Sequence, residues 1–465
     1  MICVSEFELA IILDILRKHT PDYEVRAFGS RYKWTSKEYS DLDIAIVGKQ
    51  KMDFSLLGDI RDSFEESDLP FRVDVLDWHS LTPEFQAVIE QGCEVIYNPK
   101  MNTGNTWTKV RLGDVCEFKN GKKRPKNTGI YPVYGGNGIL DYTDEFNYKN
   151  VVIIGRVGAY CGNVCYEPQK AWVSDNAISA KNLKSSDMLF DYYLISQLNL
   201  NKRHIGTSQP LLTQDILNNI IVNLPPLPTQ RAIAATLSCL DDKIELNRRI
   251  NANLEAQAQA VFKSWFDSQT AKSWEYGKLS DIATITPQRN LKKGVYAPYL
   301  EMANLPTRGS FPSNWKTKEF LGGMKFKNGD TILARITPCL ENGKTAYVNF
   351  MQEDEVGYGS TEYVILSAKD DYPNELLYFL ARTEDFRHYA IKNMTGTSGR
   401  QRVSADVIGM YKIKIPSKSV IEKYRTLFSL YMSIIRENSF ESRALAAIRD
   451  TLLPKLMSGE LEVLI

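Results

Sequence analysis

Apolar residues recur along this chain with two different periods, and the positions where the period changes divide it into parts. In AFGSRYKWTSKEYSDLDIAIVG a turn at Gly29 and Ser30 leads into an alternating stretch, which predicts a strand with Asp41 and Asp43 on one face. FRVDVLD predicts a second strand, carrying Asp74. From Trp107 onward, short apolar runs broken by Gly, Pro and Asn predict strands and tight turns as far as LPPLPTQ. The period then lengthens to about 3.5 residues: Ile233, Leu237, Leu240, Ile244, Leu254, Ala258, Val261 and Trp265 form the stripe of a long helix, interrupted by Asn247 and Asn251. Strand-and-turn patterning resumes and gives way again after Pro416, where Ile421, Tyr424, Phe428, Tyr431, Ile435, Leu445, Ile448 and Leu452 trace a second helix before Pro454.

The two strand-rich parts repeat one another. GTSQPLLTQDILNNIIVNLPP, from Gly206 to Pro226, returns as GTSGRQRVSADVIGMYKIKIP, from Gly396 to Pro416, at an offset of 190 residues at the first glycine and 191 at Asp215/Asp406 and Pro225/Pro416. Upstream, VRLGDVCEF answers GKLSDIATI, and VVIIGRVG with Arg156 answers DTILARIT with Arg335. A nearly constant offset means duplication. Each copy is expected to end in a turn, a short helix capped by Thr213 or Ser404, and a strand reaching a proline. The two helical stripes have only each other to cover them, so an antiparallel pair is expected, with the globular parts at opposite ends. The seam asparagines either fix its register or are merely tolerated. From Thr229 to Phe266 the first helix would reach roughly 57 Å.

Composition narrows the class. The 465 residues suggest about three domains, and 43% apolar with 24% charged content describes a globular chain rather than a disordered or fibrous one. No apolar run reaches membrane-span length and MICVSEFELA lacks the features of a signal peptide, so a soluble, cytoplasmic protein with no membrane partner is expected. Seven scattered cysteines fit a reducing compartment, and the close pair Cys161 and Cys165 reads as small strand residues rather than a metal site. The net charge of +1 conceals a division: residues 1–104 hold 11 Lys+Arg against 19 Asp+Glu, and the remainder 46 against 37. An acidic head is repelled by phosphate backbones, whereas a basic body is able to hold one.

In the head, three carboxylates on neighbouring strands repel one another unless a divalent cation sits between them, and magnesium shared with triphosphate oxygens is the usual resolution. Gly29 would let the backbone approach a phosphate, with Ser30 and Arg31 as donors. The Gly-Ser turn, ten intervening residues, the Asp41–Asp43 strand and the later Asp74 together resemble the minimal nucleotidyltransferases of the polymerase-beta superfamily, over roughly residues 1–98 down to EFQAVIEQGCEVIY. The resemblance implies that Asp41, Asp43 and Asp74 bind metal and activate an attacking hydroxyl, that Gly29, Ser30 and Arg31 bind nucleotide, and that Mg2+ and a nucleoside triphosphate are used there. Family members carry a glycine shortly after the turn where this chain has Trp34, which bears on loop shape and acceptor. The alternative is a fold kept for interaction alone.

The body, from Trp107 to Ile465, carries W-x-x-V-R-L-G-D-V, LPPLPTQRAIA and ALAAIRDTLLPKLMSGEL, and resembles the specificity subunit of type I restriction-modification systems. That resemblance implies two target-recognition domains, each reading one part of a bipartite site in double-stranded DNA, with the conserved helices as spacer. It also implies two methyltransferase subunits and ATP-dependent restriction subunits as partners, adenine methylation with S-adenosylmethionine held by those partners, and no catalytic chemistry in the body itself. The expected fold is α+β and multidomain: a nucleotidyltransferase-like domain at 1–98, a linker at 99–106, mixed α/β recognition domains at 107–224 and 269–415, and coiled-coil-like helices at 225–268 and 416–465.

Basic residues supply candidate DNA contacts. FKNGKKRPK offers Lys119, Lys122, Lys123, Arg124 and Lys126, followed by Tyr131 and Tyr134, and PQRNLKKGVY offers Arg289, Lys292 and Lys293. Arg400, Gln401 and Arg402 form a candidate base-reading cluster. Arg156 and Arg335, in apolar strands at repeat-equivalent positions, either read DNA or pair internally. Two other classes remain: an antitoxin-like nucleotidyltransferase regulator docked by its body to DNA or to a methyltransferase, and a purely structural adaptor.

Overall fold

The computed structural model describes residues 2–33, 40–98, 107–183, 185–206, 209–266, 268, 270–397 and 399–463. They fall into two compact units, Met1–Ala234 with Leu456–Ile465, and Ala235–Lys455.

The first unit holds the head and the first copy of the repeat. In the head, helix Glu6–His19 starts at a capping box, with the Ser5 hydroxyl accepting from the Glu8 amide and the Glu8 carboxylate accepting from the Ser5 amide at 2.6 Å. Four strands follow in the order Val73–Asp77, Leu42–Val47, Glu24–Phe28 and Glu94–Tyr97. Leu42–Val47 and Val73–Asp77 are parallel, joined through helix Phe54–Glu65, while Glu24–Phe28 runs antiparallel to Leu42–Val47. Leu42, Ile44 and Ile46 are wholly buried, which turns the alternating Asp41 and Asp43 to the other face.

In the first copy, six strands lie in the order Cys116–Asn120, Ala177–Asn182, Tyr148–Gly155, Val164–Val173, Tyr131–Gly135 and Gly138–Thr143. Both faces of the central strand are covered, since Val151 to Ile154 are all buried. The end of the copy forms as its sequence suggests: Thr213 caps helix Gln214–Asn218 by accepting from the Ile216 amide, and strand Ile221–Leu224 pairs with Thr108–Arg111.

The second unit contains the other copy, built on two four-stranded sheets. The same ending recurs. Ser404 caps helix Ala405–Gly409 by accepting from the Val407 amide, and strand Lys412–Lys414 pairs with Tyr276–Lys278.

Helix Leu227–Phe266 has 40 residues and helix Lys418–Ser458 has 41. Within the second unit they run antiparallel: Asp241 meets Arg449 at 2.6 Å, Lys243 meets Glu441 at 3.1 Å, and Trp265 meets the Tyr424 ring at a centroid distance of 5.2 Å. The seam asparagines are bonded across it. Asn247 Nδ2 donates to Glu441 at 2.7 Å and to Ser442 at 3.3 Å, while Asn251 donates to Ser439 and accepts from Asn438 at 2.9 Å.

One expectation needs correction. The stripes are not buried only against one another, because Ala258, Phe262, Tyr424, Phe428, Met432 and Ile435 join Leu376, Leu377 and Phe379 in the core of the second copy. Large aromatic side chains at that end are too wide for a two-helix seam and require a third surface. Pro454 lies within the second helix. The helix continues to Ser458, and Gly459 with φ +77° terminates it.

Candidate functional site

The head brings its carboxylates together by strand register. Asp43 lies directly opposite Asp74 in the parallel pair, and Asp41 shares the Asp43 face two residues before it. Burial raises the Asp43 carboxyl above the ordinary range, and the neighbouring Asp74 and Asp41 raise it further. Gly29 has φ +76°, and a Cβ there would collide with the Asp43 carboxylate, so backbone conformation and space both demand glycine. Asp74 is also held by Arg72, at 3.1 Å.

Arg31 departs from its expected role. It is buried, donates to the carbonyls of Ser40 at 2.7 Å and Cys3 at 2.8 Å, and lies 3.6 Å over the Phe71 ring. It therefore pins the turn to the N-terminal segment, leaving Gly29 and Ser30 as the turn's nucleotide-facing candidates. Trp34 lies outside the described residues. Among the described residues no three His, Cys, Asp or Glu side chains are already gathered as an ion cage. The donor chemistry around Asp43, all carboxylate oxygen, is nevertheless of the kind a hard cation takes.

In the first copy, Lys122, Lys123 and Lys126 stand exposed on a turn. The Gly121 amide donates to Ala177 O, the Lys122 amide to Val173 O, and the Arg156 amide to Asn176 O. The turn Ser174–Asn176 is thus held on both sides, with Lys122 and Arg156 flanking it. Arg156 donates weakly to Asp175 O at 3.4 Å. Lys119 is exposed and pairs with Glu117 at 2.8 Å, and Arg124 lies 3.9 Å from Asp141. Tyr134 is a core residue rather than a DNA contact. It is 8% exposed and donates to Glu167 at 2.9 Å, and burial raises its hydroxyl above the ordinary range.

In the second copy, Lys292, Lys293 and Arg400 are exposed. Arg289 is internal: its guanidinium donates to both oxygens of Asp330 at 2.6 Å, with side chains only 11% and 1% exposed. Burial pushes the Asp330 carboxyl up, and the Lys327 amide and the Arg289 charge counter it. The Gln401 carbonyl accepts from the Thr337 amide at 3.1 Å. Arg402 grips Glu362 through Nε at 2.9 Å and Nη2 at 2.8 Å, and Arg335 Nε lies 3.9 Å from the same carboxylate. Arg335 therefore takes part in an internal network. Glu362 was not singled out by the sequence; its one signal is that GSTEYV answers VSDNAI, placing it where the first copy has Asn176.

Head and body thus combine a nucleotide-transfer type of site with a duplicated, basic-edged scaffold. The profile of the type I restriction modification DNA specificity domain matches residues 104–256 and 271–429, and that of polymerase beta nucleotidyltransferases matches residues 12–102. The chain belongs to the family of type I restriction-modification DNA specificity subunits, with a nucleotidyltransferase domain at its head. It is 22% identical over 406 residues to the MjaVIII specificity subunit of Methanocaldococcus jannaschii, covering 77% of this chain and 93% of that protein. The head is 47% identical over 93 residues to a "Probable protein adenylyltransferase MntA" of Haemophilus influenzae, covering 20% of this chain and 82% of that protein. The fold is similar to that of a type I S subunit from M. genitalium, with a TM-score of 0.51 and 19% identity over 77% of this chain and 97% of that one. No described helix is long and apolar enough to cross a membrane.

The buried Arg289–Asp330 pair yields a test. Arg289→Ala strands a buried carboxylate and should cost about 3–5 kcal/mol of unfolding free energy in denaturant titrations. Unchanged stability together with a lower salt dependence of DNA binding would return Arg289 to the interface.

Proposed function

We propose that this chain reads a bipartite DNA site for a complex in which two methyltransferase subunits, holding S-adenosylmethionine, methylate adenine there, and ATP-dependent restriction subunits cleave unmodified DNA. Each copy of the repeat reads one part. The observation that carries this reading is the duplication itself: one DNA-specificity profile falls twice on the chain, and both copies place an arginine, Arg156 or Arg335, at the same strand end. Mapping methylated adenines in cells with and without the gene should reveal a two-part motif only in its presence; identical maps would sink the proposal.

The exposed Lys122 and Lys123 touch phosphates in this reading, beside Lys119, Arg124 and Lys126. Lysines on a turn supply charge without base selectivity. Replacing Lys122 and Lys123 with alanine in the assembled complex should lower the slope of log affinity against log salt by about 0.9 for each phosphate that is no longer neutralised. An unaltered slope would place them outside the interface.

The head transfers the nucleoside monophosphate of a nucleoside triphosphate to a protein hydroxyl, forming a phosphodiester as the α–β phosphoanhydride bond breaks and pyrophosphate leaves; the name borne by its Haemophilus relative supports that acceptor class. Asp41, Asp43 and Asp74 would hold magnesium, which when bound would screen the triphosphate's charge. Gly29 and Ser30 bring backbone close to the phosphates, and the carboxylates orient and deprotonate the acceptor hydroxyl. Asp43→Asn should abolish magnesium-dependent labelling from radiolabelled ATP and leave DNA recognition intact. Because burial and its neighbours raise the Asp43 carboxyl, it takes up a proton at a higher pH than an ordinary carboxylate. Protons should therefore compete with magnesium there, so that on acidification labelling falls at a higher pH when magnesium is limiting than when it saturates. An acid limb that does not move with magnesium would remove Asp43 as the controlling group.

A further inference from the structure

The two copies share one hydrogen-bond lattice at their edges and differ in the charge it carries. In the first copy the Arg156 amide donates to Asn176 O, the Gly158 amide to Pro210 O and the Leu212 amide to Arg156 O. Leu211 forms backbone bridges to Val157 and Ile205. In the second copy the Arg335 amide donates to Glu362 O, the Thr337 amide to Gln401 O and the Val403 amide to Arg335 O, while Arg402 bridges to Ile336 and Thr395. Position by position, Pro210 and Leu211 answer Gln401 and Arg402, and Asn176 answers Glu362.

The side chains at these matched points are unlike. Leu211 is apolar, whereas Arg402 is a guanidinium held in place. A guanidinium has five N–H groups. On Arg402, Nε–H and one Nη2–H go to Glu362, and one Nη1–H goes to the Arg400 carbonyl at 3.1 Å. One N–H on each Nη remains, and with the Arg400 carbonyl on the Nη1–H that faces Cδ these two make the end-on fork. That pair matches the O6 and N7 acceptors that guanine presents in the major groove. The side chain is 39% exposed, so the fork is reachable. Hydrogen bonds from Arg402, and the charges of Arg402 and Arg335, hold the Glu362 carboxyl below the usual range, so it stays ionised as a buttress at neutral pH.

We propose that Glu362 is a positioning residue for specificity: it fixes Arg402 so that the end-on fork reads one guanine in the part of the DNA site assigned to the second copy. The first copy, with Leu211 at the matched point, reads no guanine there. An unbuttressed arginine would sample many rotamers and find phosphates as readily as bases. The carboxylate gives up affinity, since it repels the backbone, in exchange for discrimination.

The inference rests on the proposed DNA-reading function, and the experiment separates the two. The chain, assembled with its methyltransferase subunits, is selected against a pool of randomised duplexes, and the bound DNA is sequenced for wild type, Glu362→Gln and Arg402→Lys. The wild type should select a motif with a guanine in one part. Arg402→Lys, which keeps the ion pair but lacks the fork, should lower the preference for that guanine about tenfold. Glu362→Gln, which keeps the arginine, should lower it by a similar factor while binding to unrelated duplex holds or rises. The other part of the motif should be unchanged in both variants. If both variants select the wild-type motif, or lose preference evenly over both parts, the positioning role is overturned. Should Glu362→Gln fail to fold by circular dichroism, Glu362→Asp, which keeps the charge but draws it back from Arg402, takes its place with the same expected loss. A wild-type complex that selects no motif would overturn the DNA-reading function itself, before any variant is compared.

Discussion

The seam between the two long helices is the constraint on which the second unit depends. Its middle is polar: Asn247 is wholly buried and its amide is engaged by Glu441 and Ser442, while Asn251 exchanges hydrogen bonds with Asn438 and Ser439. Sliding one helix past the other would strand the buried Asn247 amide at a cost of about 1–3 kcal/mol and break the part-buried Asn251 bonds, so the polar layer defines a single register. Of the two roles open to seam asparagines, the bonding favours fixing register over being tolerated. The Asp241–Arg449 contact reinforces the same alignment farther along. At the other end Trp265, Tyr424 and Phe428 form an aromatic cluster continuous with the core of the second copy. Helix register and domain core are thereby one packing problem.

What the sequence discloses follows from how local each interaction is. Strand alternation fixes which face Asp41 and Asp43 share, and helical spacing marks both long helices, because each pattern is complete within a few turns or residues. The duplication is legible for a different reason: Thr213 and Ser404 cap short helices in the same way, and capping is written in adjacent residues. Arg289, Arg31 and Tyr134 were not legible. Each looks like a surface donor in its own segment, and its role is set by a partner elsewhere, Asp330, the Ser40 and Cys3 carbonyls, and Glu167 respectively. A basic residue beside glycine and proline reads as a loop contact until burial shows what it neutralises. Glu362 was missed for the complementary reason, as a lone carboxylate in the turn before an apolar strand, whose meaning depends on an arginine 40 residues later.

The shared lattice explains how one scaffold is able to carry two different readers. Every bond that defines the edge in both copies, from the amides of Arg156 and Arg335 to the carbonyls of Pro210 and Gln401, is made by backbone. Backbone bonds are indifferent to side-chain identity, apart from proline's missing donor, and Pro210 serves only as acceptor. Side chains at the matched points are therefore free to change without undoing the edge. A guanidinium introduced there still has to be aimed, since without a partner it samples many rotamers. The second copy meets that requirement with Glu362, and the first avoids it with Leu211. A change of reading at this edge thus involves two positions far apart in sequence, one supplying the donor and one the carboxylate that aims it, so side-chain substitutions confined to either position alone would leave the other without its partner.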